Sequence, residues 1–207
     1  MMDFAVYLSA LGITASQIVG IGPQNAFVIR QGIGRSHILP IVAICIACDI
    51  LLISAGVLGM GGWISGHPLL MRWVVWLGAA FIAWLGVKSL RSAFTPKKLD
   101  SAGEVEREKR TAVRSILVVT LLNPYVWLDT VVLIGSVSSV YGAAGKLSFI
   151  LGAASASCLW FLGIGLGAGR LAPWFESEKS WRVLDGVIAA VMFFTATLLV
   201  VNFGLPG

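Results

Sequence analysis

Charge is scarce in this chain. Asp, Glu, Lys and Arg make up 12% of its 207 residues against 57% hydrophobic ones, and the mean hydropathy is +0.90. Soluble domains carry about a quarter charged residues, so a soluble globular class is excluded and the chain reads as an integral membrane protein. Cysteine is equally thin. Cys45, Cys48 and Cys158 make no disulfide framework, and the Cys45/Cys48 spacing lies inside an apolar run without a second pair or neighbouring histidines, which argues against a metal or redox centre. The two histidines, His37 and His67, fall at loop edges and cannot serve one buried site together. With neither nucleophile nor ligand set in place, no enzyme and no cofactor is expected. A basic amino-terminal stretch is also missing: only Asp3 precedes the first apolar run, which reads as a membrane span and not as a secretory signal.

Long apolar runs are what the chain has instead. A bilayer core of about 30 Å takes roughly 20 apolar residues per helix. Six stretches meet that length: Phe4 to Ile29, Ile38 to Trp63, Leu69 to Val87, Ala112 to Val140, Leu147 to Ala168 and Val183 to Phe203. The loops between them are short except for Lys88 to Thr111, where KKLDSAGEVEREKR alternates acids and bases as a solvated linker does. The shorter APWFESEKSW segment reads the same way. Lysine and arginine are one-sided. Arg30, Arg35, Lys88, Arg91, Lys97, Lys98, Arg107, Lys109, Arg110, Arg114, Arg170, Lys179 and Arg182 fall on one face of the predicted topology, and only Arg72 and Lys146 on the other. The positive-inside rule makes the first face cytoplasmic and puts both termini of a six-helix chain outside the cytoplasm, in an inner membrane. A re-entrant first segment would move the N-terminus alone. The net charge of +5 therefore marks topology and anionic lipid headgroups, not nucleic acid.

Polar residues inside these runs carry the functional reading. The first segment contains GPQNAF from Gly22 to Phe27, and the fourth contains Asn123 and Pro124. Proline removes an amide donor and clashes with the carbonyl four residues back, so each site predicts a helix broken in the membrane, with Asn123 placed to cap the second half of its helix. The positive end of such a half-helix suits a carboxylate. The second and fifth segments align as ACDILLISAGVLGMG from Ala47 and SASCLWFLGIGLGAG from Ser155, and the third and sixth share an arginine spaced alike from an Ala pair, at Arg72 and Arg182. Three helices per copy is odd, so two copies form an inverted repeat. The expected architecture is all-α: one transmembrane domain over residues 1–207, with repeats at about 1–92 and 112–207 joined by a charged loop at about 93–111.

Asp49 and Asp129 fall near the middle of segments two and four, where a carboxylate costs about 2.5–3.5 kcal/mol on insertion scales. No basic residue is expected at that depth, so a proton or a cationic substrate is the candidate partner. Asp185, near Arg182, reads as an interfacial ion-pair residue. Trp63, Trp73 and Trp76 are expected at the outer boundary and Trp174 and Trp181 at the inner one, while Trp84, Trp127 and Trp160 lie deeper, the last two able to offer a π face to an ammonium or guanidinium. Gly12, Ser16 and Gly20, Gly163 with Gly167, and Gly165 with Gly169 have the spacing of close helix contacts.

IGPQNAFVIRQGI from Ile21, CDILLISAGVLG from Cys48, LNPYVWLDTVVLIGSV from Leu122 and SASCLWFLG from Ser155 closely resemble the LysE family of bacterial lysine and arginine exporters, over all six segments and least in the charged loop. The resemblance implies an inner-membrane exporter driven by the proton motive force, with Asp49 and Asp129 important for transport. The residues expected to hold the substrate are Gly22, Pro23, Gln24, Asn25, Asn123, Pro124, Tyr125, Trp127 and Trp160. The partners are lysine, arginine or an analogue, protons and membrane lipids, with room for a homodimer. Export of a threonine or homoserine type amino acid, or of a cation, is the alternative.

Overall fold

The protein, seen as a computed structural model, is described over residues 2–19, 22–94, 105–175 and 177–204. It is all helical, with no strand among the described residues. The chain runs through α1 (Phe4–Ile18), α2 (Pro23–Ile33), α3 (Ile38–Ser65), α4 (Pro68–Phe94), α5 (Lys109–Leu121), α6 (residues 124–138), α7 (Gly142–Ala168) and α8 (Glu178–Leu199). Asp3 starts α1 by accepting from the amides of Ala5 and Val6 at 3.0 and 3.2 Å. Its own amide donates to Ser148 at 2.8 Å, which ties the chain end to α7.

By length and apolar character, four continuous helical stretches among the described residues qualify to cross a bilayer: Ile38–Ser65, Pro68–Phe94, Pro124–Phe175 and Glu178–Phe203. A fifth is formed if α1 and α2, bent by 78°, count as one broken span. The stretch Pro124–Phe175 has 52 residues; at 1.5 Å per residue that is about 78 Å, more than twice a bilayer core. Gly142, with φ 63°, interrupts it. Wide turns also occur among the described residues at Gly56–Met60, Trp127–Leu133 and Val200–Gly204. The first holds Gly59 at φ 129°, a conformation glycine adopts without a Cβ clash. The second contains Asp129, whose carbonyl accepts the amide of Ile134.

Burial along the helices keeps a strict register. The buried positions of α1, Val6, Ala10 and Thr14, are matched at one constant offset by Ala112, Ile116 and Thr120 in α5. In α3, Ile41, Cys45, Cys48, Asp49 and Ile53 correspond in the same way to Phe149, Ala153, Ala156, Ser157 and Phe161 in α7. The buried face of α4, Val75, Gly78, Ala79, Ile82, Gly86 and Ser89, corresponds to Asp185, Ile188, Ala189, Met192, Ala196 and Leu199 in α8. The α4 and α8 faces pack on each other, as do α1 and α7.

Helix ends differ from the sequence expectation where tertiary partners extend them. α4 continues past Val87 to Phe94, where Ser89 meets Arg30 of α2 and Ser92 meets Asp185 of α8. Residues 95–104 of the charged linker and Gly20 lie outside the described residues. The close-packing glycines are also partly others. A Cβ at Gly12, Gly163 or Gly167 would meet nothing within 4 Å, whereas one at Gly152 would run into the Tyr7 carbonyl oxygen, one at Gly135 would lie 2.7 Å from the Gly56 oxygen, and one at Gly32 would lie 2.7 Å from the Gly165 oxygen. Trp63, Trp73, Trp76 and Trp174 are exposed as a belt requires, but Trp181 is buried and donates to the Phe175 carbonyl at 2.7 Å.

Backbone cannot retreat from an added methyl as a side chain can. Gly152→Ala is therefore expected to destabilise the detergent-solubilised protein by about 1–3 kcal/mol, while Gly163→Ala leaves it unchanged or gains up to about 1 kcal/mol from helix propensity; paired thermal unfolding curves read the difference.

Candidate functional site

Both proline breaks start new helical turns as the local chemistry requires. Gly22, at φ −80° and ψ 178°, precedes Pro23 in the first position of α2, whose fixed φ suits that place. Asn123 stands before Pro124, and its side-chain oxygen accepts the Tyr125 amide at 3.0 Å. The carbonyls stranded at the preceding helix ends are taken from beyond each break. Asn25 Nδ2 donates to the Ile18 oxygen and Trp127 Nε1 to the Leu121 oxygen, each at 2.8 Å. Trp160 Nε1 in turn donates to Asn25 Oδ1 at 3.2 Å.

A cavity of about 90 Å³ lies between the breaks. Gly22, Pro23, Gln24 and Asn25 line it from the first, Tyr125 and Asp129 from the second, and Asp49 faces it from α3. Asp49 is buried and accepts from Ser157 Oγ at 2.7 Å. Asp129 is half-buried, and its carboxylate has no hydrogen-bond or ion-pair partner among the described residues. Thr14 Oγ1, Gln17 Oε1 and Gln24 Nε2, all on wall residues, are buried polar atoms without a hydrogen-bond partner among the described residues. Such atoms cost roughly 1–3 kcal/mol each unless something meets them. No group of three metal-ligating side chains occurs among the described residues.

Four of the expected substrate residues are placed elsewhere. Asn123, Pro124, Trp127 and Trp160 are not in the cavity wall; Pro124 and Trp127 border a lateral apolar groove, and Trp160 reaches the cavity only through Asn25. Conversely, Thr14, Gln17 and Thr195 line the cavity without a motif to announce them, and Thr130 and Phe161 line it from inside the quoted motifs without having been singled out. Ser157 is more legible, because it is the residue that the ACD and SAS alignment sets opposite Asp49.

A second buried polar cluster corrects the assignment of two charges. Arg30 is not a loop residue: it is buried in α2 and its guanidinium donates to Asp185 at 2.7 Å and to Ser89 at 3.3 Å. Asp185 is fully buried and also accepts from Ser92 at 2.7 Å. Arg182 pairs with Glu178 instead, one turn away. The reason is helical phase: Asp185 continues the buried face of α8, while Arg182 points outward.

Removing one partner of a buried ion pair strands the other charge. Arg30→Met is expected to destabilise the protein by about 3–5 kcal/mol, and Arg30→Met combined with Asp185→Leu to recover most of that loss; thermal unfolding of both variants in detergent checks this.

Known proteins give the geometry its family. The profile described as LysE type translocator matches residues 15–202. The Arginine exporter protein ArgO of Klebsiella pneumoniae (strain 342) is 40% identical over 194 residues, 93% of this chain and 92% of the relative. Those of Serratia proteamaculans (strain 568) and Escherichia coli (strain K12) are each 38% identical, covering 94% and 95% of this chain and 96% and 93% of their own. No solved structure matches. The apolar helices and the family match make this a multi-pass membrane protein, the family and its relatives make it a transporter and not an enzyme, and the chain belongs to the LysE family of translocators.

Proposed function

We propose that the chain exports the basic amino acids arginine and lysine across the bacterial inner membrane, with one proton entering for each substrate that leaves. The observation that carries this reading is the approach of Asp49 and Asp129 to one cavity with no cationic partner among the described residues. The relatives' printed name, arginine exporter, supports arginine as cargo.

Matched burial in α1 and α5, α3 and α7, and α4 and α8 supports six spans in two inverted repeats of three, at about 1–92 and 112–207 with the linker between. On this reading α1 with α2, and α5 with α6, are the two broken spans, and the cavity lies where the copies meet.

The chemistry of exchange follows from charge. Moving one positive charge outward against about 100 mV costs roughly 2.3 kcal/mol. A proton moving inward cancels it. A carboxylate that holds either a proton or the substrate's cationic head, never both, links the two movements; Asp49 and Asp129 take this part. The amino end of α2 and the Gln24 amide take the substrate's α-carboxylate, beside Gly22 and Tyr125. Asn123, Pro124, Trp127 and Trp160 hold the broken helices in shape around them.

Asp49→Asn and Asp129→Asn proteins, inserted normally, are each expected to lower arginine counterflow in proteoliposomes at least about tenfold, the factor for 1.4 kcal/mol. Wild-type rates in both would remove the mechanism. Counterflow against lysine, canavanine and threonine ranks the cargo, and arginine flux indifferent to a pH gradient would replace the antiporter with a passive pore.

A further inference from the structure

Apart from the central cavity, a second pocket of about 350 Å³ lies between α2, α4 and α5. Its lining changes character in one direction on all three helices. On α2 it passes from Arg30 to Phe27 and Pro23, on α4 from Lys88 to Trp84 and Phe81, and on α5 from Arg114 to Val118 and Val119. One end is thus cationic and the other apolar. Trp84 is 59% exposed and Val118 38%, so the apolar end is open on the outer surface of the helices, where a membrane protein meets acyl chains.

The charge balance of the cationic end is specific. Arg30 is already neutralised by Asp185. Lys88 and Arg114 are exposed and have no hydrogen-bond or ion-pair partner among the described residues. Against them the pocket sets a single carboxylate, Glu106, so one unit of positive charge is left over. A cationic amino acid is repelled here. A phosphodiester brings one negative charge, and its acyl chains need the apolar end.

We propose that this pocket binds one anionic diacyl phospholipid in the lysine- and arginine-rich leaflet, the phosphate between Lys88 and Arg114 and an acyl chain along Trp84, Phe81 and Val118. Basic recesses between membrane helices on the cytoplasmic side hold anionic headgroups for the same reason. Pro23 lines both this pocket and the central cavity, so the lipid leans on the start of the half-helix that walls the cavity.

The test uses the full-length protein in nonionic detergent, titrated with phosphatidylglycerol and followed by native mass spectrometry and thermal shift. One phosphatidylglycerol per chain is expected to bind and raise Tm, with phosphatidylcholine doing neither. Lys88→Gln with Arg114→Gln should weaken binding about 10- to 30-fold, each cation near the surface being worth about 1 kcal/mol, while leaving the lipid-free Tm in place because both side chains are exposed. Glu106→Gln should tighten binding about fivefold by the same constant. Unchanged affinity in the double variant would overturn the proposal. So would equal binding of phosphatidylcholine, competition by glycerol phosphate at the same concentration as the lipid, or a cross-linked second copy covering Trp84.

Discussion

Lipid offers a peptide group no hydrogen bond, and a helix interrupted at membrane depth must find replacements within the protein. Everything at the centre of this molecule follows from how that demand is met. At the end of α1 the Ile18 carbonyl receives the Asn25 amide, and at the end of α5 the Leu121 carbonyl receives the Trp127 indole. In both places the donor comes from the first turn beyond the proline, so the segment that breaks the helix also repairs it. Trp160 locks the first repair by donating to the other end of the Asn25 amide. These polar groups are consumed by structure, and among the described residues Gln24 Nε2, Thr14 Oγ1 and Gln17 Oε1 are the buried wall atoms without a hydrogen-bond partner.

Charge is divided along the same lines. Arg30 and Asp185 neutralise each other between α2 and α8, with Ser89 and Ser92 of α4 filling further hydrogen-bonding positions. That pair fixes the far end of α2. The near end is held by Asn25, between the Ile18 carbonyl and the Trp160 indole, and Asp49 and Asp129 line the cavity beside it. Among the described residues the two cavity carboxylates face no cation, and Arg30, two turns beyond the first break, pairs with Asp185 instead.

Much of this is legible in the residues. The long apolar runs, both proline breaks, the capping asparagine and the approach of Asp49 and Asp129 to the middle of the chain's polar chemistry all come from local rules of spacing and capping. What stays hidden depends on partners far away in sequence. Arg30 reads as a loop residue when assigned to its nearest charged turn, and only its contact with Asp185, from the last helix, reveals that α2 carries it inward. Asp185 reads as a partner of Arg182 by proximity, but helical phase turns the two to opposite faces. Small-residue spacing is equally indifferent to direction: Gly12 and Gly163 have it and face nothing, while Gly152 lies against the Tyr7 carbonyl. Trp181 has the position of a belt tryptophan and is instead covered by its neighbours.

Asp49 and Ser157 occupy corresponding positions in the two burial registers and touch across the α3–α7 contact. An aspartate in both would set two carboxylates against each other in a region of low dielectric, where like charges are most costly. The hydroxyl avoids this and does more. It can donate to a carboxylate and accept from a carboxylic acid, so it remains a partner to Asp49 whether that group is charged or protonated. A lysine or arginine in its place would favour the charged form alone and hold the proton off. A purely apolar residue would leave the carboxylate unsupported. A hydroxyl fits this small position between two packed helices and can stay a hydrogen-bond partner to Asp49 in either protonation state.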